Sequence, residues 1–170
     1  NAGAVYPYDV LKGLIDNYGS RADQSYNQDN LNHILAQWEA LPNYVGDANV
    51  LPLVDVSGSM TAPAGGKQSK SKITCLDVSV SLGLYLADKN KGKFKDTFLT
   101  FSAQPQLLHL QGNILDKIKQ MVTSSWDMNT NLIAAIQKIL QVAIEGNVPQ
   151  EEMPAVLLIL SDMQFDQCAR

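Results

Sequence analysis

Two continuous apolar runs predict the central strands of the fold. Residues 50–55 and 155–160 show no alternation of apolar and polar positions. Short runs of this kind are typical of strands that are buried on both faces of a parallel sheet. Pro52 lacks a backbone N–H, so regular pairing of the first strand is expected to start just after it. We predict a central strand at Val50–Asp55, with Ala155–Ser161 beside it.

Helical spacing of apolar residues predicts helices over 8–18, 29–41, 73–88, 114–122 and 132–144. Residues 73–88 also alternate in places, which is a strand signal. The segment is long for a strand, however, and a parallel crossover needs a helix. A strand near 94–101 and a hairpin partner near 106–110 complete the pattern. Strands alternating with helices predict an α/β, doubly wound and mostly parallel sheet, preceded by two extra N-terminal helices.

Composition narrows the class of protein. The chain has 170 residues, of which 45% are hydrophobic and 18% charged, and its net charge is −4. This balance argues against binding of nucleic acid or anionic membranes by the whole surface. No apolar run reaches the roughly 18 residues of a membrane-spanning helix. The two cysteines, Cys75 and Cys168, form no disulfide framework, so we expect free thiols and an intracellular, cytoplasmic location.

Polar residues follow both apolar runs and open one helix. Asp55, Ser57 and Ser59 come directly after the first run, Asp162 follows the second, and Thr130 precedes the helix over 132–144. In an open α/β sheet, ligands collect beyond the carboxyl ends of the strands, near the switch in strand order. We therefore expect these five side chains to converge although they are far apart in the sequence.

Hard oxygen donors make up the whole of this set. Two carboxylates and three hydroxyls suit Mg²⁺, with Mn²⁺ or Ca²⁺ as alternatives, and they do not suit zinc or copper. The simpler alternative is a Ser/Gly turn beside an aspartate, with a threonine that caps a helix. All three segments occurring together favour the metal site.

Three segments, LPLVDVSGSM, WDMNTNL and LILSDMQFDQ, resemble a known family. Asp-x-Ser-x-Ser with a distant Thr and a more distant Asp resembles the metal-ion-dependent adhesion site (MIDAS) of von Willebrand factor A domains. Together the segments look like the A-type domain in the C-terminal half of a large family of unknown function, which is similar to Ro (TROVE) ribonucleoproteins. The resemblance implies a doubly wound sheet with helices on both faces.

The resemblance also implies a role for each residue of the set. Ser57, Ser59 and Thr130 would supply hydroxyl ligands, and Asp55 and Asp162 would act largely through bound waters. An open coordination position would then accept an acidic side chain, Asp or Glu, of a partner protein. The implied function is a non-enzymatic, metal-dependent protein-interaction module.

The chain departs from the A-domain pattern in two places. Asn131 stands where many A domains carry an aspartate, and only residues 163–170 follow Asp162. The chain also lacks an initiator methionine, so we expect a piece of a longer protein. We predict an N-terminal helical extension over 1–48 and an A-type domain over 49–170 that is incomplete at its C-terminus.

An incomplete sheet would leave the strand 155–160 at an exposed edge. This run has no charge and no proline, which is the profile of an aggregation-prone edge. We expect the leading helices 8–18 and 29–41, a second copy, or further chain to cover it. Further chain is favoured, because strand addition replaces the missing ladder directly.

Two other functions stay open. RNA or ribonucleoprotein association follows from the similarity to Ro proteins, although a separate helical domain is the main RNA binder there. Seven lysines flank the segment 73–88, three before it and four after it: Lys67, Lys70, Lys72, Lys89, Lys91, Lys93 and Lys95. We interpret them as solvated charges rather than as an RNA-binding patch. A metal-assisted phosphohydrolase is less favoured, since the chain has no phosphate-loop, dinucleotide or nucleophile-elbow motif.

Overall fold

The computed structural model describes residues 5–16, 19–20, 28–66, 68–70 and 72–162, which form an α/β fold with a four-stranded mixed sheet flanked by helices. The helices are α1 (Pro7–Leu11), α2 (Gln28–Glu39), α3 (Cys75–Lys89), α4 (Ile114–Val122) and α5 (Leu132–Glu145). Two short strands, β1 (Ile15–Asp16) and β2 (Gly19–Ser20), pair with each other. The main sheet contains β3 (Val50–Val54), β4 (Thr97–Thr100), β5 (Leu107–His109) and β6 (Val156–Leu160).

The strand order in the main sheet is β5-β4-β3-β6. β3 is parallel to both of its neighbours, and β5 is antiparallel to β4. The prediction of a central first strand with the last strand beside it is confirmed. Pairing of β3 with β4 starts at Leu53, just after Pro52, whereas the register with β6 runs through the whole of β3.

The ambiguous segment 73–88 is helical, as predicted. Thr74 caps α3, because its hydroxyl accepts the backbone N–H of Asp77 at 3.0 Å, and the Asp77 carboxylate accepts the Thr74 N–H at 2.9 Å. A Cβ atom at Gly83 would lie 2.8 Å from Val54 Cγ2. The missing side chain at Gly83 therefore lets α3 lie close against β3.

The face of the sheet against α3, called the covered face below, carries several layers of helix. α3 packs on β3, α1 and α4 pack on α3, and α2 packs on α1. The buried side chains of this layer form one cluster that includes Val54, Val80, Leu84, Phe98 and Met121.

The opposite face, called the α5 face below, carries α5. Leu51, Leu53 and Leu99 point to this side and pack with Ala135 and Ile139 of the helix. α5 is apolar on its outer side as well, where it exposes Ile133, Ile136, Leu140 and Ile144.

The first predicted helix, over 8–18, is wrong beyond Leu11. α1 ends there, and the chain turns into β1. Gly13 lies at the break, and glycine disfavours helix by about 1 kcal/mol relative to alanine. Leu14 is still fully buried, so the apolar spacing identified a buried residue but not its conformation. The second predicted helix corresponds to α2, and the domain division at residue 49 stays a prediction.

β6 is the edge strand beside β3, and the structure places no further strand along its outer side among the described residues. Val156 and Leu158 are exposed there. The leading helices α1 and α2 pack on the α3 side of the molecule, which excludes them as the cover of this edge. Of the three covers considered, a second copy and further chain stay predictions. Among the described residues, no helix is both long and apolar enough to cross a membrane.

Candidate metal centre

The loop after β3 brings a buried carboxylate and two hydroxyls together. Asp55 is only 2% exposed, and its Oδ1 accepts the backbone N–H of Ser57 at 2.9 Å. This bond folds the loop back, and the hydroxyls of Ser57 and Ser59 lie 3.1 Å apart. The turn Gly58–Thr61 then leads the chain away. Local hydrogen bonding thus directs these polar side chains to one place.

The end of β6 meets this loop because the two strands are parallel neighbours. Val54 is in register with Leu160, and the Asp55 N–H donates to the carbonyl of Leu160 at 2.9 Å. The next residue, Ser161, donates its hydroxyl to Asp55 Oδ2 at 2.8 Å. The chain then reaches Asp162. Sheet pairing therefore joins two segments that are far apart in sequence.

A small cavity lies between these segments. Its volume of about 20 Å³ is enough for one water-sized sphere. Four of the five predicted site residues line it, together with an aromatic, a methionine and one further hydroxyl: Asp55, Ser57, Ser59, Phe101, Met128, Ser161 and Asp162.

Thr130 is the predicted site residue that the structure does not place in the cavity wall. Its Oγ1 donates to the carbonyl of Ser102 at 3.1 Å. The neighbouring backbone N–H of Asn131 donates to the same carbonyl at 3.3 Å, and the Asn131 side chain caps α5. In this arrangement, the loop that carries Thr130 is tied to the end of β4.

Negative charge at the cavity has no cationic neighbour in its wall. The lining residues include Asp55 and Asp162 but no lysine, arginine or histidine among the described residues. Lys70 and Lys72, which could have neutralised the carboxylates, do not line the cavity, and Lys67 lies outside the described residues. Hydrogen bonds from the Ser57 N–H and the Ser161 hydroxyl are what stabilise the buried carboxylate of Asp55.

The negative charge of Asp162 reaches the start of α3. Burial raises the pKa of the Cys75 thiol, and the negative charge of Asp162 raises this pKa further. Cys75 is a free thiol, as predicted, and Cys168 lies outside the described residues. The Cys75 thiol thus lies close enough to Asp162 to be affected by its charge.

The donor set matches a hard divalent cation. The cavity offers carboxylate and hydroxyl oxygens, which suit Mg²⁺, Mn²⁺ or Ca²⁺. No group of three or more His, Cys, Asp or Glu side chains that could hold a metal ion is assembled in the described part of the chain. The buried carboxylate of Asp55 shares the cavity wall with Asp162, and no cationic side chain lines that wall among the described residues. This arrangement of charges fits a metal ion.

Two serines at this site were not predicted from the sequence. Ser161 lines the cavity, and Ser79 on α3 donates its hydroxyl to the carbonyls of Asp55 (3.0 Å) and Leu160 (3.3 Å). Ser161 directly precedes Asp162, so its position in the sequence was a usable signal. For Ser79 the sequence signal was weaker: it is a polar residue within the apolar pattern of α3.

The chain is similar to a longer viral protein. It is 33% identical over 138 residues to the uncharacterised protein L728 of Acanthamoeba polyphaga mimivirus, and the match covers 78% of this chain and 22% of the relative. The chain thus spans about a fifth of the length of that relative. No solved structure shows a significant match.

A family model matches residues 49–170, which include the whole of the cavity wall. The model is that of a domain of unknown function, DUF7788. Because the match covers most of the chain and all the residues around the candidate metal centre, the chain belongs to the DUF7788 family.

Proposed function

We propose that this chain is a divalent-metal-dependent protein-interaction module with a MIDAS-type site. The observation that supports the proposal is the cavity between the ends of β3 and β6, where Asp55 and Asp162 meet without a cationic neighbour in the cavity wall. An ion of Mg²⁺ size fits the scale of the cavity and the hardness of its donors. The proposed role is binding rather than catalysis.

Each residue of the proposed site has a distinct part. Ser57 and Ser59 present hydroxyl oxygens from one loop, and Asp162 adds a carboxylate from the other strand. Asp55, held by two hydrogen bonds, supplies buried negative charge. Thr130 does not line the cavity, so it joins the set only if the loop that carries it moves its hydroxyl into the wall. When bound, the cation would supply positive charge and an open coordination position for a partner's Asp or Glu side chain.

The same proposal includes an A-type sheet that is incomplete beyond β6 and has two leading helices. Its support is the outer side of β6, along which the described residues place no further strand. We infer that further chain pairs with this side of β6 and replaces the missing ladder.

The RNA alternative has less support. Beyond the C-terminal end of α3, Lys91 pairs with Asp47 at 3.1 Å. Lys89 and Lys95 both lie within 4 Å of Asp88, at 3.9 and 3.7 Å. These carboxylates offset the positive charge that an RNA backbone would need.

Calorimetric titration with Mg²⁺ and Mn²⁺ tests the metal site. We expect the wild-type chain to bind one cation, and Asp55→Asn to lose at least tenfold in affinity, because it removes buried charge while keeping the side-chain volume. Asp47→Asn is the matched control, since this aspartate is fully exposed and precedes β3, whereas the loop follows the other end of that strand. A cation present at 100 times its Kd should also stabilise the fold by about 2.7 kcal/mol.

Two small probes test the partner chemistry. Acetate, but not the neutral acetamide, should perturb the amide NMR signals of residues 55–59 and 161–162, and only with Mg²⁺ present. Equal titration of wild type and Asp55→Asn would contradict the metal site. Binding of single-stranded RNA whose affinity falls steeply with salt concentration and is unaffected by EDTA would favour the ribonucleoprotein alternative. Hydrolysis of a phosphate ester would favour the phosphohydrolase.

A further inference from the structure

The carboxylate of Asp55 is held at both oxygens. Its Oδ1 accepts the Ser57 N–H at 2.9 Å, and its Oδ2 accepts the Ser161 hydroxyl at 2.8 Å. Backbone geometry makes the first bond, so it is available to any residue at position 57 except proline. The second bond depends on one side chain. Ser161 is therefore the side chain in the described part of the site that fixes the rotation of the Asp55 carboxylate.

Ser161 has access to the cavity as well as to Asp55. It lines the cavity wall beside Asp162. A hydroxyl has one proton to donate and two lone pairs. Once that proton is given to Asp55, the lone pairs of Ser161 are what it can offer to a cation or to a water on the cation. The hydrogen bond to Asp55 thus leaves the oxygen lone pairs of Ser161, and not its proton, available to the site.

Ser79 provides a contrast at the same place in the fold. Its hydroxyl donates to the backbone carbonyls of Asp55 and Leu160, and it is almost fully buried. It thereby ties α3 to the ends of both strands, but it does not line the cavity. Ser79 supports the strand ends, whereas Ser161 contacts the carboxylate itself.

We infer that Ser161 is a positioning residue of the metal site, whose hydroxyl orients the Asp55 carboxylate and raises the affinity for a divalent cation. This inference rests on the proposed metal-binding function. Partners that orient ligand groups typically change metal affinity by 10- to 100-fold when they are removed. Residues of this kind act through geometry, so a substitution that keeps the hydroxyl should keep the affinity.

The test titrates Mg²⁺ and Mn²⁺ into the whole 170-residue chain and its variants. Ser161→Ala should weaken binding by about tenfold or more, while Ser161→Thr, which retains the hydroxyl, should stay within about threefold of wild type. The melting temperature of the metal-free chain is measured for each variant. Ser79→Ala should lower this temperature more than Ser161→Ala does, because Ser79 ties α3 to both strand ends. Asp47→Asn, before the opposite end of β3, should leave the metal affinity unchanged.

The outcomes separate the inference from the function on which it rests. If wild type binds neither metal, the proposed function fails, and the inference fails with it. If wild type binds and Ser161→Ala binds equally well, the inference alone is overturned. The same holds if Ser161→Thr is as weak as Ser161→Ala. Should Ser161→Ala not fold, Ser161→Cys, which keeps the shape but donates weakly, replaces it in the same comparison.

Discussion

The two faces of the sheet are covered to very different degrees. On the covered face, α3 packs on β3 and contacts the helices α1 and α4 as well, and its Leu84 is only 2% exposed. On the α5 face, one helix lies on the strands, and its Leu140 is 49% exposed. The two leucines belong to helices of similar length and apolar character. Their difference arises from what packs on the outside of each helix.

The contrast teaches how to interpret a helix that is apolar on both sides. Helices of this kind are normally buried all round. One side of α5 is buried, because Ala135 and Ile139 pack on the sheet. The other side is exposed, and Ile133 there is 71% accessible. A contiguous apolar surface of this sort is typical of an interface. The edge of β6 is a separate uncovered feature, because α5 also packs toward β4 and β5, with Leu99 and Leu107 in the same cluster.

The largest expected effect compares the two leucines directly. Leu84→Ala removes a buried side chain from the covered face and should cost about 2–5 kcal/mol. Leu140→Ala changes a half-exposed position and should cost less than about 1 kcal/mol. Urea unfolding of the two variants measures both values. Similar losses would mean that the outer side of α5 is as well packed in solution as α3.

Hydrogen exchange compares the central strand with the edge strand. Amides of β3, which has a neighbour on each side, should exchange about 10- to 100-fold more slowly than those of β6 in a dilute monomer. The physical reason is that local opening is easier at an edge. Equal protection of Val156–Leu160 in a proven monomer would show that the edge is covered after all.

Polar substitutions on the outer side of α5 test the exposed surface. Ile136→Gln combined with Leu140→Gln should lower the self-association constant of the chain by about tenfold, equivalent to 1.4 kcal/mol, because it removes exposed apolar area. Sedimentation velocity over a range of concentrations measures this. Lys138→Gln, on the same helix, is the control and should leave association unchanged. An unchanged constant in the double variant would exclude this surface from self-association.

The smallest expected effect concerns the start of α3, where the covered face approaches the site. Because burial and Asp162 raise the pKa of Cys75, its thiolate fraction at neutral pH is lower than that of an ordinary cysteine. Alkylation should accelerate only as the pH rises toward that raised pKa. Asp162→Asn should lower the pKa and modestly speed alkylation, and saturating Mg²⁺ should do the same in wild type.

Mass spectrometry of the Cys75 peptide, in a Cys168→Ser background, follows this reaction. Asp47→Asn controls for the loss of a negative charge elsewhere. If Asp162→Asn reacts at the wild-type rate over the whole pH range, the electrostatic contribution of Asp162 to the thiol is absent.

Long apolar runs made the sheet predictable from the sequence. β3 and β6 are uncharged runs of strand length that pair in parallel, although β6 is only partly buried, and the length of 73–88 identified α3 correctly. The prediction of a helix over 8–18 was wrong because apolar spacing predicts only which residues are buried. A turn at Gly13 buries the same apolar residues without a continuous helix. Periodicity also could not show that the outer side of α5 is exposed, since both sides of the helix are apolar.

The sequence predicted which types of residue form the candidate site and that they lie at the ends of the two strands. Asp55, Ser57, Ser59 and Asp162 line one cavity because strand pairing brings their loops together. Thr130 was predicted to join them and instead bonds to the Ser102 carbonyl, which depends on a rotamer that sequence does not specify. The role of Ser79 likewise depends on how α3 lies across two strand ends, a relation of tertiary structure.

The parallel pairing of β3 with β6 has a consequence for the order of folding. The bond between Asp55 and Ser161 joins residues 106 positions apart, and α3, β4, β5, α4 and α5 all lie inside that loop. Contacts of such high contact order form late, since local contacts must first reduce the loop-closure entropy. A cation held there would therefore bind after the folding transition state. It would slow the unfolding rate and leave the folding rate nearly unchanged.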